Sequence, residues 1–315
     1  MKKQVNEGSE ARISCEKTQK TTRRCFLRQS SLGVAGAIVG GSISARLRAQ
    51  NRVAEGIELG VHHYSVRSLF QSGKLSLAAF PAFAREELGV SNIELAAELS
   101  LPLLESGALV RLLKVNADKA NVQVLTLLCS GETALDGDTQ SQREEAVQHH
   151  LRWVAVARAL GCRFLRLRAG SEGDPKDRME KARLGIQQLA SHLKPGDPRL
   201  LIENVGGLSR RPEWLLGLIK TLGREHCGLL ADYGNFEGDI YEGMKALLPH
   251  TESICTKSWD FDAEGNETKI DFLRMGRLIQ ASGFKGCISM EYLGKNLGSV
   301  AGLKKTAALV RSSLA

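Results

Sequence analysis

Short apolar runs alternate with longer amphipathic segments along most of the chain. The apolar runs have the length of buried strands, which are commonly about four to eight residues long. They predict strands over residues 57–64, 92–95, 122–129, 163–168, 200–203, 227–232, 253–257 and 286–291. The amphipathic segments predict helices over residues 77–88, 103–118, 141–160, 176–193, 212–222, 240–248, 271–281 and 300–313. Because eight strand and helix cycles are typical of parallel βαβ units, we predict a single (β/α)8 TIM barrel over residues 53–315.

A doubly wound open sheet is the alternative arrangement of these cycles. Such a sheet normally has a glycine-rich phosphate turn after its first strand, whereas this chain has His62-His63-Tyr64-Ser65 there. A length of 315 residues with 43% hydrophobic residues also suits one barrel of about 250 residues plus an extra segment. Four helices are expected to end just before a glycine, which readily adopts a left-handed turn. These glycines are Gly89, Gly161, Gly223 and Gly283.

The first 50 residues differ from the rest in composition. Thr22-Arg23-Arg24-Cys25-Phe26-Leu27-Arg28 precedes an uncharged, moderately apolar stretch over residues 31–45. This order resembles a twin-arginine export signal, which implies a cleavable signal peptide over residues 1–50, disordered or helical, cut between Ser44 and Gln50. The resemblance also implies the twin-arginine translocase as a partner, a periplasmic location and no stable membrane span after cleavage. An amphipathic basic tail is the alternative, but it does not explain the uncharged run.

The positive charge of the chain is concentrated in this segment. The formal net charge is +8, and residues 1–50 hold ten basic and three acidic residues, a net charge of +7. The remainder is close to neutral, which argues against a nucleic acid partner, because nucleic-acid-binding surfaces are basic. Five cysteines follow the segment, an odd number without a Cys-x-x-Cys pair. We therefore predict small buried side chains rather than a disulfide framework.

Three of the predicted strands end in a carboxylate, namely Glu203, Asp232 and Glu291. In a (β/α)8 barrel the C-terminal ends of the strands meet at one mouth, so acidic residues far apart in sequence converge there. Converging carboxylates need a positive partner, since otherwise they repel and at least one takes up a proton. Structural salt bridges that close the barrel are the alternative explanation of the same residues.

Four motifs in a fixed order resemble the xylose isomerase-like sugar phosphate isomerase/epimerase superfamily. They are Ile202-Glu203-Asn204, Ala231-Asp232-Tyr233-Gly234-Asn235-Phe236, Thr256-Lys257-Ser258-Trp259-Asp260-Phe261-Asp262 and Ser289-Met290-Glu291-Tyr292. The resemblance implies a barrel that commonly holds a divalent metal, such as Mn, Mg, Co or Zn, through a Glu, an Asp, a His and a second Glu. By position, Glu203, Asp232 and Glu291 match the three carboxylates, but Cys255 stands where the histidine is expected.

This departure leaves the source of positive charge open. An oxygen-rich site favours magnesium or manganese, for which sulfur is a poor partner, so we interpret Cys255 as a packing residue. Either a metal is held by the three carboxylates and water, or Lys257 supplies the positive charge instead.

The combination of a base and a cation predicts proton transfer beside a carbonyl group. A carboxylate removes the proton while the cation stabilises the enediolate that forms. We therefore expect Glu203, Glu291 and Lys257 to be catalytic. The resemblance implies that the two glutamates approach opposite faces of the substrate carbon and that Asp232 is chiefly a ligand. The predicted function is isomerisation or epimerisation of a small sugar or polyol.

Several other polar residues are expected to bind the substrate. They are His62, His63, Glu94, Arg168, Asn204, Asn235 and Trp259. Only one of His62 and His63 can face the barrel interior, because side chains alternate along a strand. Arg166 and Arg168 share one face, which is either inward, where Arg168 could meet a carboxylate or phosphate, or outward in solvent. Trp259 follows the seventh predicted strand and could stack on a sugar ring.

Two other functions fit the same residues. A lyase or hydrolase that cleaves an oxidised, keto-bearing glycoside needs the same base and cation, and export favours it mildly. A non-catalytic carbohydrate-binding barrel is the second, favoured by the missing histidine. Endonuclease IV-type enzymes share the barrel layout, but they need a histidine-rich three-zinc cluster. None of the seven histidines lies in the expected motif beside Asp232 or Glu291, so this function is set aside.

Overall fold

The computed structural model describes residues 52–129 and 134–315. The predicted signal peptide over residues 1–50 lies outside these residues and stays a prediction. None of the helices within the two described ranges is both long enough and apolar enough to cross a membrane.

Nine strands form one sheet that closes on itself. They are β1 (Arg52–Ala54), β2 (Ile57–His62), β3 (Asn92–Ala96), β4 (Gln123–Leu128), β5 (Phe164–Leu167), β6 (Arg199–Glu203), β7 (Cys227–Asp232), β8 (Thr251–Ser258) and β9 (Gly286–Tyr292). Strands β2 to β9 are parallel and adjacent in chain order, and β2 pairs with β9, with Ile57 opposite Gly286. The short strand β1 pairs antiparallel with β2. The predicted eight-stranded (β/α)8 barrel is therefore confirmed.

Helices follow every barrel strand and cover the outside of the sheet. They are α1 (Arg67–Gln71), α2 (Phe80–Leu88), α3 (Pro102–Glu105), α4 (Gly107–Ala120), α5 (Gln140–Leu160), α6 (Pro175–Ser191), α7 (Pro212–Leu222), α8 (Ile240–Leu247), α9 (Phe272–Ser282) and α10 (Ser299–Ser313). The one helix predicted over residues 103–118 is wrong in its continuity, because Ser106 separates α3 from α4. The Ser106 hydroxyl accepts a hydrogen bond from the Leu109 N–H at 3.1 Å and so caps a new helix start.

Four helices end at the predicted glycines. Helices α2, α5 and α9 stop directly before Gly89, Gly161 and Gly283, where φ is +66°, +73° and +68°. These backbone angles are left-handed and cost little only for glycine. Helix α7 likewise stops before Gly223. Each of these four helices is therefore terminated just before the next strand.

Side chains along the strands alternate between two apolar regions. Outward residues such as Leu165 and Ile288 are fully buried between the sheet and the helices. Inward residues fill the barrel interior with a second cluster, made of Leu125, Leu128, Phe164, Leu201, Leu230, Cys255 and Cys287. All five cysteines of the described residues are free and buried, as predicted. This second cluster supports the polar residues that lie at the strand ends.

The packing between the sheet and the helices predicts that alanine substitution of two leucines lowers the free energy of unfolding by different amounts. Leu165 is completely buried, whereas Leu112 on α4 is 49% exposed. We expect Leu165→Ala to lower the free energy of unfolding by about 2 to 5 kcal/mol, because it leaves a cavity. Leu112→Ala should change it by about 0.5 kcal/mol or less. Urea unfolding of both variants tests this, and equal losses would contradict the assigned packing.

Candidate active site

Six barrel strands bring a titratable side chain to the same rim. These residues are His62 from β2, Arg166 from β5, Glu203 from β6, Asp232 from β7, Lys257 from β8 and Glu291 from β9. The three carboxylates are nearly inaccessible, with Glu203 at 4%, Asp232 at 0% and Glu291 at 6% exposure. Because ionised groups are rarely buried without a partner, their contacts define the site. We call these six residues the rim cluster.

Lys257 is the cation that links two of the carboxylates. Its Nζ donates to Asp232 Oδ2 and to Asn235 Oδ1 at 3.1 Å, and it forms an ion pair with Glu291 Oε2 at 3.2 Å. Burial alone would lower the pKa of Lys257, but the charges of Asp232 and Glu291 raise it well above its ordinary value. Lys257 is therefore a permanent ammonium ion.

The two carboxylates beside this ammonium differ in their acidity. Burial raises the pKa of Asp232 to about 7, against the opposing effect of Lys257. Burial would also raise the pKa of Glu291, but His62 and Lys257 together hold it below its ordinary value. Glu291 is therefore ionised at neutral pH and is the better placed of the two to accept a proton.

Glu203 has its own cation in Arg166. Arg166 Nε lies 2.8 Å from Glu203 Oε2 as an ion pair without an aligned N–H, and a second guanidinium nitrogen donates to the Cys129 carbonyl at 3.0 Å. Asn235 Nδ2 donates to Glu203 Oε1 at 3.4 Å, which connects Glu203 to the Lys257 group. Arg166 was not among the predicted site residues. The shared face of Arg166 and Arg168 was the only signal for it, and the direction of that face was left open.

The two predicted histidines have different positions. His62 is the last residue of β2, and its Nδ1 accepts the Tyr64 N–H at 3.1 Å while lying 3.8 Å from Glu291 Oε1. Burial lowers the pKa of His62, against the opposing effect of the Glu291 charge. His63 is the first residue of a 3-10 turn and packs against Phe70 and Phe80, with ring centroids 4.1 and 5.3 Å away. The prediction that His63 binds substrate is therefore wrong.

Glu94 lies in the barrel interior next to the rim cluster. Its Oε1 accepts a hydrogen bond from Thr126 Oγ1 at 2.9 Å, whereas its Oε2 and the Ser289 Oγ are both buried without a hydrogen-bond partner. Burial raises the pKa of Glu94 to about 7. This carboxyl group is completely inaccessible, so a substrate hydroxyl could reach it only through a change in the packing above it.

Asn204 and Asn235 also serve different purposes. The Asn204 Nδ2 donates to the Asp232 carbonyl at 3.0 Å, and its Oδ1 accepts the Asp232 N–H at 2.7 Å. Both polar ends of this buried side chain are thus used by the backbone, which contradicts its predicted role in substrate binding. Asn235 bridges Lys257 and Glu203 and is half-buried, so it remains part of the site.

Trp259 lies at the mouth and Arg168 does not join the rim cluster. A Cβ atom built on Gly234 would be 2.8 Å from Trp259 Cη2 and 2.6 Å from Lys257 Cδ, so the indole lies beside the lysine side chain. Lys269 lies over the same ring at 4.5 Å. Arg168 is exposed and lines a separate cavity of about 350 Å³ with Asp136, Ser171 and other loop residues.

A possible metal-binding group within the described residues consists of Asp232, Cys255 and Glu291. One ligand atom from each lies within 4.8 Å of the others, a spacing compatible with a divalent metal. Glu203 was predicted as a metal ligand, but it is paired with Arg166 and does not belong to this group. Cys255 takes its place. Burial raises the pKa of the Cys255 thiol well above its ordinary value, and its Sγ lies 3.8 Å from Glu291 Oε2. The Lys257 ammonium already contacts two of the three donors, so the arrangement does not fit an ion unless Lys257 moves.

Comparisons with known proteins agree with this fold. A family model described as a xylose isomerase-like TIM barrel matches residues 83–313. No curated protein sequence matches the chain. Solved structures with the same fold include D-psicose 3-epimerase with D-tagatose from Clostridium cellulolyticum H10, with a TM-score of 0.63 and 13% identity over 81% of this chain and 96% of that one.

Two further structures extend this comparison. The IolI protein with a bound zinc atom has a TM-score of 0.66 and 14% identity over 81% of this chain and 97% of that one. The 3-keto-D-glucoside 4-epimerase from E. coli has a TM-score of 0.60 and 11% identity over 81% and 98%. A probable 3-DHS dehydratase and an AP endonuclease share the fold as well. At such identities the fold alone is shown, and a fold does not select a reaction.

Glu94 predicts a pH dependence of stability. Its pKa of about 7 in the folded protein lies above the ordinary 4.5, so the folded state binds the proton more tightly. Stability is therefore fully present below pH 4.5 and is lost as the pH rises through 7. We expect wild-type protein to lose about 3 kcal/mol relative to Glu94→Gln over this window.

Urea unfolding at pH 4.5, 6 and 8 measures this difference. Glu264→Gln, which removes an exposed carboxylate, is the matched control and should run parallel to wild type. Parallel curves for Glu94→Gln as well would refute the assigned neutral carboxyl group.

Proposed function

Because the chain belongs to the xylose isomerase-like TIM barrel family, we propose that it is an enzyme that moves a proton beside the carbonyl group of a sugar or polyol. The reaction is an isomerisation or an epimerisation through an enediolate. The observation that carries this proposal is the rim cluster, in which two buried glutamates are linked to a fixed ammonium. Glu291 contacts Lys257 directly at 3.2 Å, and Glu203 is connected to it through Asn235.

The contacts suit the steps of such a reaction. Glu291 is a carboxylate at neutral pH and takes the proton from the carbon next to the carbonyl. The carbonyl oxygen then gains the negative charge, and a positive group placed there in advance lowers the barrier. Return of the proton to the neighbouring carbon, with transfer of the hydroxyl proton to the former carbonyl oxygen, gives an isomer. Delivery of a proton to the opposite face of the original carbon by the second glutamate, in its protonated form, gives an epimer. In the folded protein Arg166 and Asn235 hold Glu203 in position for this second role.

The names of similar structures support a sugar substrate. D-psicose 3-epimerase and 3-keto-D-glucoside 4-epimerase share the barrel, and both names describe a change of configuration in a sugar. Positive charge could also come from a divalent ion held by Asp232, Cys255 and Glu291, which would polarise the carbonyl. The half-buried Trp259 beside Lys257 offers an apolar face of the kind that sugar rings pack against.

Cleavage of a keto-bearing glycoside is the second candidate. It begins with the same proton removal, and it ends with loss of a leaving group from the adjacent carbon. The 3-keto-glucoside named for one similar structure favours testing this class of substrate. A barrel that binds carbohydrate without turnover is the third candidate, and it predicts ligand binding with no exchange of substrate protons.

Export is a separate proposal that the sequence supports. The paired arginines in Thr22-Arg23-Arg24-Cys25-Phe26-Leu27-Arg28 and the uncharged stretch after them suit the twin-arginine route. The periplasm would then be the location of the reaction, with translocation of an already folded barrel.

Exchange of substrate hydrogen with solvent tests the proton transfer. Wild-type protein in deuterium oxide should incorporate deuterium into one of a panel of ketohexoses, including D-tagatose, and 3-keto-glucosides. Glu203→Gln and Glu291→Gln should each reduce the rate by about 10²- to 10⁴-fold, because each removes a base and keeps the shape. Mass spectrometry measures exchange, and product analysis separates isomerisation from cleavage.

Glu264→Gln is the control, since Glu264 is exposed and is not a member of the rim cluster. Wild-type rates in both site variants would refute the assignment of the bases. Binding of a sugar without any exchange in wild-type protein would favour the non-catalytic barrel.

Replacement of the paired arginines tests export. In a bacterial host with the twin-arginine system, full-length protein should reach the periplasm, and Arg23→Lys combined with Arg24→Lys should retain it in the cytoplasm. Arg12→Lys combined with Lys20→Arg keeps the charge and should not affect export. Cell fractionation followed by immunoblotting gives the result, and equal periplasmic amounts for all three proteins would refute the signal.

A further inference from the structure

The rim cluster contains a cation of the protein at the position where a metal ion would bind. Two of the three residues that could ligate an ion, Asp232 and Glu291, each have a carboxylate oxygen in contact with Lys257 Nζ. We propose that the Lys257 ammonium takes the place of the divalent ion, so that this barrel is a metal-independent enzyme. The role of the ammonium in catalysis rests on the proposed function, whereas its exclusion of metal does not.

The ammonium has three polar partners where it lies. Lys257 Nζ donates to Asp232 Oδ2 and Asn235 Oδ1, and it forms an ion pair with Glu291 Oε2. An ion that displaced Lys257 would leave these donors to find new partners within the barrel mouth. An ion that bound beside Lys257 would place like charges in contact. Both routes weaken metal binding at this site.

The surrounding residues are shaped to hold the lysine. Gly234 has no side chain, and a Cβ at its position would lie 2.6 Å from Lys257 Cδ, so a larger residue would displace the lysine stem. Trp259 Cη2 lies close to the same position, 2.8 Å from that Cβ. The Lys257 side chain is consequently only 12% exposed. The lysine is therefore built into the site rather than extending into it from the surface.

Every carboxylate of the rim cluster already has a cation of the protein within contact distance. Glu203 is paired with Arg166, and Asp232 shares Lys257 with Glu291. The third donor of the possible metal group, Cys255, offers sulfur, which suits magnesium and manganese poorly. A divalent ion would thus have to compete with Lys257 for the same two carboxylates.

The same contacts describe how the ammonium would act in the reaction. When Glu291 takes the substrate proton it loses its negative charge, and the enediolate oxygen gains that charge. Lys257 can then turn one N–H from Glu291 Oε2 to the enediolate oxygen while the bonds to Asp232 and Asn235 remain. If Glu291 returns the proton to carbon, the starting charges are restored. If a protonated Glu203 delivers a proton instead, both glutamates regain their starting state by proton exchange with solvent, so charge and protons balance over the cycle.

Metal binding by wild type and by lysine variants tests the proposal without any substrate. Protein dialysed against a chelator is titrated calorimetrically with Mn²⁺ and with Zn²⁺. We expect no stoichiometric binding by wild type, and one equivalent bound by Lys257→Met, at least 100-fold more tightly than by wild type. Asp232→Asn added to Lys257→Met should abolish the gained site. Lys245→Met, which removes an exposed lysine, should behave as wild type.

Two outcomes would overturn the proposal. The first is wild-type protein that retains one equivalent of metal after purification, or that binds either ion as tightly as Lys257→Met. The second is failure of both Lys257→Met and Lys257→Gln to bind either ion while both unfold in urea as cooperatively as wild type. The metal content of wild-type protein decides the first point even if the variants do not fold. Absence of deuterium exchange would refute the proposed reaction and leave these titrations unaffected.

Discussion

Burial of three carboxylates at one rim is the constraint on which the site depends. An ionised group without a partner is strongly destabilising away from water, so each carboxylate must be protonated or paired. The fold supplies Arg166 for Glu203 and Lys257 for Asp232 and Glu291, all from the ends of neighbouring strands. Because a closed parallel sheet fixes the order of its strands, the order of these charges around the mouth follows directly from the topology.

The residues around the charges make the arrangement rigid before a substrate arrives. Asn235 forms hydrogen bonds with both Glu203 and Lys257. Gly234 has no side chain, which leaves room for the side chain of Lys257. Such fixed dipoles and charges need little rearrangement when charge moves during a reaction, which is the main electrostatic advantage of an enzyme over water. The apolar cluster inside the barrel performs the complementary task, since it keeps solvent from reaching the carboxylates from below.

The barrel could be predicted from the sequence because its signals are local. Apolar runs of strand length, amphipathic segments and glycines at helix ends recur in order, and the carboxylates stand at the ends of the runs. The contacts within the site are not local. Strand β2 ends at His62, and the 3-10 turn begins at His63. The position of this boundary decides that the ring of His62, and not that of His63, faces Glu291. The inward direction of Arg166 depends on the pleat of β5, which the surrounding sequence leaves undetermined.

Asn204 has a wider consequence for how this molecule can diversify. Its side-chain amide donates to the Asp232 carbonyl and accepts the Asp232 N–H. These two bonds extend the backbone hydrogen bonding between β6 and β7. The aspartate is anchored from the neighbouring strand rather than by the segment that follows it. Evolution can therefore lengthen or exchange that loop while the charges of the rim cluster keep their spacing.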